Sequence, residues 1–328
     1  MRISNNEPKL DFKDVVIVPK LSCAEAHDNF SAHVKFKLKH TGKIITTLPF
    51  IVSNRQIRRS LNIAKVASGV GILTELSEII FRQCENGTKD YFYHMGCMDI
   101  EKFKSFIKMN TLEKICIDND GYYTDLITTV SRIRELYPEL MIMVGSVVDP
   151  EQTEQLILAG ADCVKVGIGG NKDGYIRAIA GVGYPQLSAI IECAEAAHSV
   201  GGLICSDGGC NSTSDIIKAF VGGADFVTID DIIAGTYECS GDKLIIHKDG
   251  SEFPVTDIHA NMGGIPTHVR CFNLDCDIDG TGKLIDYRGR FNDVITEISY
   301  AIEATLSYTG CNEISELTKR ARFVKVNS

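Results

Sequence analysis

Lys172, Asp173 and Tyr175 are three side chains able to move protons, and they share one loop, Gly170-Asn171-Lys172-Asp173-Gly174-Tyr175-Ile176. An amine, a carboxyl and a phenol at this spacing offer general acid–base chemistry. The loop follows the run Val164-Lys165-Val166-Gly167-Ile168-Gly169, so a strand end would present it. A second cluster, Asp207-Gly208-Gly209, follows another apolar run. Adjacent glycines let backbone N–H groups approach an anion closely, as phosphate-binding loops and helix N-termini do. After the next apolar run the chain places Asp230-Asp231. A carboxylate about 4 Å from a phosphate charge costs on the order of 4 kcal/mol per charge pair at an effective dielectric of 20. A cation therefore suits this pair better than a free phosphate. Otherwise the pair points away, or Asp231 caps a following helix. A metal-dependent activity using Asp230 and Asp231 is a further reading.

Asp275, Asp277, Asp279, Gly280 and Asp286 fall at the spacing of a calcium loop. Alternate acids let carboxylates converge on one hard cation while glycine allows the sharp turn. Gly282 stands where an apolar residue is usual, and Asp286 is shorter than the usual glutamate. An acidic flap is the competing reading. His259, His268, Cys271 and Cys276 are zinc-type donors, but their spacing matches no standard zinc pattern. Arg55, Arg58 and Arg59 form a basic cluster suited to an anionic cofactor or to a solvated helix face.

Repeating elements must position these residues. Apolar runs predict strands at Leu48–Ser53, Val70–Thr74, Tyr91–Met95, Lys114–Asp118, Met141–Val144, Cys163–Gly167, Leu203–Ser206 and Phe226–Ile229. Amphipathic stretches between them predict helices near Ile57–Ala67, Ile100–Lys108, Tyr123–Leu136, Glu151–Ala159, Pro185–His198 and Ser214–Val221. Even alternation favours a (β/α)8 barrel over a doubly wound sheet. Residues 1–45 form an N-terminal extension whose predicted hairpin, His33–Lys39 with Lys43–Thr47, could plug the barrel's bottom. Residues 240–291 read as a long irregular flap region, and Phe291–Ser307 and Asn312–Arg322 as closing helices. No linker interrupts the text, so residues 1–328 are expected to form one domain.

The chain has 328 residues, 44% of them hydrophobic, enough for a substantial core. A net charge of −9 argues against a nucleic-acid surface. No apolar run spans a bilayer, and the N-terminus lacks a signal-peptide core, so a cytoplasmic protein is expected. The 12 cysteines are scattered without a CxxC pair, which fits a reduced, largely buried set.

Several stretches closely resemble the IMP dehydrogenase/GMP reductase family. They are Leu10–Val15, Val164–Gly169, Gly181-Val182-Gly183-Tyr184-Pro185-Gln186-Leu187-Ser188, Ser206–Cys210, Gly223–Val227 and Ala321–Val326. The short Thr74–Tyr91 connection has no room for the regulatory insertion of most IMP dehydrogenases, so the GMP reductase branch is the nearer one. The resemblance implies a barrel that binds a purine nucleotide, with Asp207 on the ribose hydroxyls and Gly208, Gly209, Asp230, Asp231, Glu238 and Arg288 around the substrate. It implies NADPH held near Asn54, Arg55 and Asp118, and assembly into homotetramers. Counting from Gly167 to Arg177 places Gly174 where the family carries its nucleophilic cysteine. Glycine cannot attack the purine C2 position, so reduction of GMP through a thiolate is not expected. Either the loop has lost its task or Lys172, Asp173 or Tyr175 serves different chemistry. A regulatory subunit paired with an intact paralogue is the alternative.

Overall fold

The computed structural model describes residues 8–20, 32–53, 61–84, 90–96, 100–107, 112–118, 126–170, 177, 180–239, 242–246, 252–254, 268–273 and 283–326. Eight parallel strands close into a barrel. In chain order they are β4 (Phe50–Val52), β5 (Leu73–Leu76), β6 (Tyr91–Gly96), β7 (Lys114–Asp118), β8 (Met141–Val147), β9 (Cys163–Val166), β10 (Leu203–Ser206) and β11 (Phe226–Thr228). Ring closure, made where β11 pairs with β4 through Val227–Phe50 and Thr228–Ile51, excludes the doubly wound sheet.

Helices α1 (Leu61–Gly69), α2 (Glu78–Phe81), α3 (Ile100–Ile107), α4 (Leu126–Leu136), α5 (Pro150–Ala159), α6 (Gln186–Ser199) and α7 (Thr213–Gly222) lie between the strands. Local signals set their ends. Asp149 accepts a hydrogen bond from Gln152 N ahead of α5, with Pro150 in the first turn. Ser212 and Asp215 form a capping box on α7, and Gly223 ends that helix in the left-handed region at φ 110°. Helices α8 (Phe291–Thr309) and α9 (Ile314–Arg320) follow, and β16 (Phe323–Lys325) pairs antiparallel with β1 (Val15–Ile17).

Two packing layers result. The outer core joins helices to the strands' outward faces, through residues such as Ile63, Val130, Leu156, Ile190, Phe220 and Ile298. The inner core fills the barrel with Ile51, Leu73, Phe92, Cys116, Met141, Met143, Cys163, Cys205 and Phe226. Phe36 and Leu38 belong to this inner cluster. They come from the hairpin β2 (Val34–Lys37) and β3 (Ile44–Thr47). Phe36 packs on Phe226 with ring centroids 4.5 Å apart.

Two expectations require correction. Residues 240–291 are not wholly irregular. They contain a four-stranded antiparallel sheet, ordered β13 (Glu252–Pro254), β12 (Asp242–Ile246), β14 (His268–Asn273), β15 (Lys283–Asp286). Short apolar runs such as Leu244-Ile245-Ile246 form its strands, and the surrounding Gly and Asp hid them in the sequence. Asp231 also caps no helix, because 231–239 runs as turns.

Candidate functional site

Period-two alternation builds the site at the strands' C-terminal ends. On five strands an inner-core residue is followed two positions later by a polar one: Leu73 by Glu75, Phe92 by His94, Cys116 by Asp118, Cys163 by Lys165, and Phe226 by Thr228. Cys205 is followed in the same way by Asp207, just past β10. The apolar layer seals the barrel and the polar layer sits above it.

Lys165 is the hub, with its side chain 2% exposed. Its Nζ lies 3.1 Å from Glu75 Oε1, 3.4 Å from Asp207 Oδ2 and 3.8 Å from Asp118 Oδ2. Glu75 Oε2 is 3.5 Å from His94 Nδ1. Burial alone would lower the Lys165 pKa, but Asp207, Glu75 and Asp118 outweigh it and raise it well above the ordinary lysine value. Burial likewise opposes ionisation of Glu75, yet Lys165 and His94 prevail and bring its carboxyl down to about 2. Asp118 goes the other way. Burial raises its pKa, and the neighbouring carboxylates offset part of the help from Lys165.

Asp207 is held firmly yet stays partly open. Oδ2 accepts a 2.6 Å hydrogen bond from the Ser146 hydroxyl, and the Thr228 hydroxyl lies 3.0 Å from Oδ1. Its side chain remains 18% exposed. The following Gly208 and Gly209 have φ of 79° and 78°, a region that favours glycine. Gly167, at φ 150°, lies against the same turn, where an added Cβ would run into the Asp207 carbonyl. Gln186 N donates to Asp11 Oδ1 at 2.9 Å, and its side-chain amide donates to Val166 O at 2.8 Å, so the Gly181–Ser188 text fastens this end of the barrel.

Asp230 accepts a 3.2 Å bond from Ser53 N, tying the end of β11 to the end of β4, while Asp231 is exposed. Arg288 joins this turn: its N donates to Gly235 O at 2.9 Å and its Nη1 to Ile232 O at 3.1 Å. Glu238 is engaged elsewhere, its Oε2 accepting from Phe291 N at 2.8 Å at the start of α8. Lys172, Asp173, Gly174 and Tyr175 lie outside the described residues, as do Asn54, Arg55, Asp275, Asp277 and Asp279. Asp286 ends β15, where its backbone partners Arg270.

Sequence reasoning missed Glu75, His94 and Lys165 as site residues. Ending the second barrel strand at Thr74 left Glu75 in a loop, whereas β5 runs to Leu76 and carries it inside. The usable signal was a charge at an inward-facing strand position, since buried lysine and glutamate are almost always paired. Burial raises the pKa of Cys116, Cys163, Cys193, Cys205 and Cys210 above the ordinary thiol value.

A closed parallel barrel with helices between its strands and polar residues gathered at the strands' C-terminal ends defines a (β/α)8 barrel, a fold that carries its sites at that face. The family model described as IMP dehydrogenase / GMP reductase domain matches residues 9–328. A GMP reductase of Yersinia pestis (strain Pestoides F) is 35% identical over 331 aligned residues, covering 97% of this chain and 95% of that protein. A GMP reductase of Yersinia pseudotuberculosis serotype O:1b (strain IP 31758) matches equally. The crystal structure of inosine 5′-monophosphate dehydrogenase from Legionella pneumophila superposes with a TM-score of 0.75 at 24% identity, covering 98% of this chain and 99% of that one. The chain belongs to the IMP dehydrogenase/GMP reductase family, a family of purine-nucleotide-binding proteins.

Proposed function

We propose that this protein binds a purine nucleotide or nucleoside at the barrel mouth, with Asp207 accepting hydrogen bonds from ribose hydroxyls. The supporting observation is the Asp207 carboxylate itself, held by Ser146, Thr228 and Lys165 yet open to the mouth. Gly208 and Gly209 offer backbone donors beside it, and Arg288 supplies a cation at the Ile232–Gly235 turn. Thiolate reduction of GMP is not part of the proposal, because Gly174 occupies the counted nucleophile position. NADPH is the cofactor that the family resemblance supports, and Asp118 is the one of its expected contacts among the described residues.

Titration calorimetry with guanosine, GMP, IMP and NADPH tests the reading. Guanosine is expected to bind more tightly than GMP, because Asp230 and Asp231 oppose the phosphate. Absence of binding by every purine overturns the reading. Gly174→Cys is expected not to restore GMP reduction, and normal turnover from that change would show that the acids leave the phosphate pocket intact.

Exposed apolar side chains favour a second reading, as a subunit in a homotetramer or with an intact paralogue. Val16 is 43% exposed, Val324 47% and Tyr308 68%, and Tyr308 borders a surface cavity of about 310 Å³ with Ile17 and Pro19. Light scattering of the protein alone and mixed with a GMP reductase separates the two assemblies. No helix among the described residues is long and apolar enough to cross a membrane.

A further inference from the structure

We infer that Glu75, His94 and Cys116 form a binding site for a thiophilic divalent transition-metal ion, with Zn²⁺ as the natural probe. One donor atom from each of the three residues lies within 4.8 Å of the others. The sheet register explains the convergence. His94 on β6 and Cys116 on β7 are direct Cα partners, and Glu75 pairs with Phe92, two residues before His94. All three residues take the inward positions of neighbouring strands.

Glu75 Oε2 accepts a hydrogen bond from Lys165 Nζ at 3.4 Å, whereas two other atoms of the cluster are left with room for a further partner. Glu75 Oε1 and His94 Nδ1 are buried and make no hydrogen bond. The Glu75 side chain is 1% exposed, and Lys165 Nζ, though 3.1 Å from Oε1, lies off the hydrogen-bond direction. Such buried polar atoms are uncommon and costly.

Charge balance gives the same answer. Glu75, Asp118 and Asp207 surround a single ammonium, that of Lys165. This excess of anions favours a second cation beside Glu75, the most buried of the three. With a metal on Glu75, Lys165 keeps Asp118 and Asp207. The donor chemistry selects the ion class. Thiolate and imidazole with one carboxylate suit zinc and its neighbours, whereas magnesium and calcium take oxygen donors. Zinc bonds of about 2.0–2.3 Å require the set to close by about 1 Å, shared among the side chains. Three protein donors leave a fourth position for water or a ligand, the pattern of catalytic rather than closed structural zinc sites. The assignment does not depend on a purine ligand.

The test uses the full-length protein freed of metal with EDTA and titrated with Co²⁺ and then Zn²⁺. One equivalent of Co²⁺ per chain should bind, with a thiolate-to-cobalt charge-transfer band that Zn²⁺ erases and Mg²⁺ does not. Cys116→Ser should remove the band. Cys163→Ser, an inner-core thiol outside the triad, should retain it. His94→Ala should weaken Zn²⁺ binding by about 100-fold or more, beyond the 10–100-fold typical of losing an outer partner. Wild-type protein that shows no band and binds no equivalent overturns the site, as does a band that survives in Cys116→Ser. The wild-type titration decides even if a variant fails to fold. Purine titrations in EDTA keep this result separate from the fate of the ligand proposal.

Discussion

Asp207 and Lys165 show how single residues divide the work at the mouth. Asp207 faces solvent enough to take a ligand, whereas Lys165 is fully enclosed and holds carboxylates in place. Hydrogen bonds to a charged group contribute about 1.5–3 kcal/mol, so Asp207→Asn is expected to weaken guanosine binding by roughly 10- to 150-fold. Calorimetry measures the loss, and a circular dichroism spectrum like that of the wild type confirms an intact fold. Lys165→Met leaves a buried carboxylate cluster without its cation, an event that costs roughly 3–5 kcal/mol. The urea midpoint should fall accordingly, and adding Glu75→Gln should recover part of it. A midpoint unchanged by Lys165→Met would falsify the charged hub.

Helix and strand ends carry the next level of specification. His198, in the last turn of α6, meets Asp225 at 2.9 Å, and Asp225 also accepts from Ile204 N at 2.8 Å. The hydrogen bond to Asp225 raises the His198 pKa above 6.5, against the opposing effect of burial. A raised folded-state pKa contributes stability that is fully present below the unfolded value and lost as pH rises through the folded one. His198→Gln should therefore lower the melting temperature most at pH values below about 6.5, the ordinary histidine range. The difference from wild type should shrink as pH rises above it, and a pH-independent difference would contradict this origin. Strand positions were legible because apolar runs such as Ile115-Cys116-Ile117 are buried on both faces. Strand ends were less so. Local text around Thr74-Glu75-Leu76 reads as a loop because a lone glutamate breaks an apolar run. Lys165 on β9 and His94 on β6, both distant in sequence, make Glu75 tolerable inside.

At the scale of the whole molecule, the hairpin packs into one end of the barrel and the polar layer lines the other. Phe36 is buried against Phe226 in the inner core. Phe36→Ala should cost about 3–5 kcal/mol, read from the shift in urea midpoint at unchanged slope. A loss below about 1 kcal/mol would mean that the plug adds little to the core. The small sheet of β12–β15 escaped sequence reading because its strands are short and separated by Gly- and Asp-rich text. By itself the sequence determined the number and order of the barrel strands, the family and the position of Asp207. Hydrophobic periodicity is local, and the motif text is contiguous. The tertiary structure alone decided that Glu75, His94, Asp118, Lys165 and Asp207 meet. Barrel closure brings distant strands side by side, and pairing of buried charges is a property of space rather than of sequence.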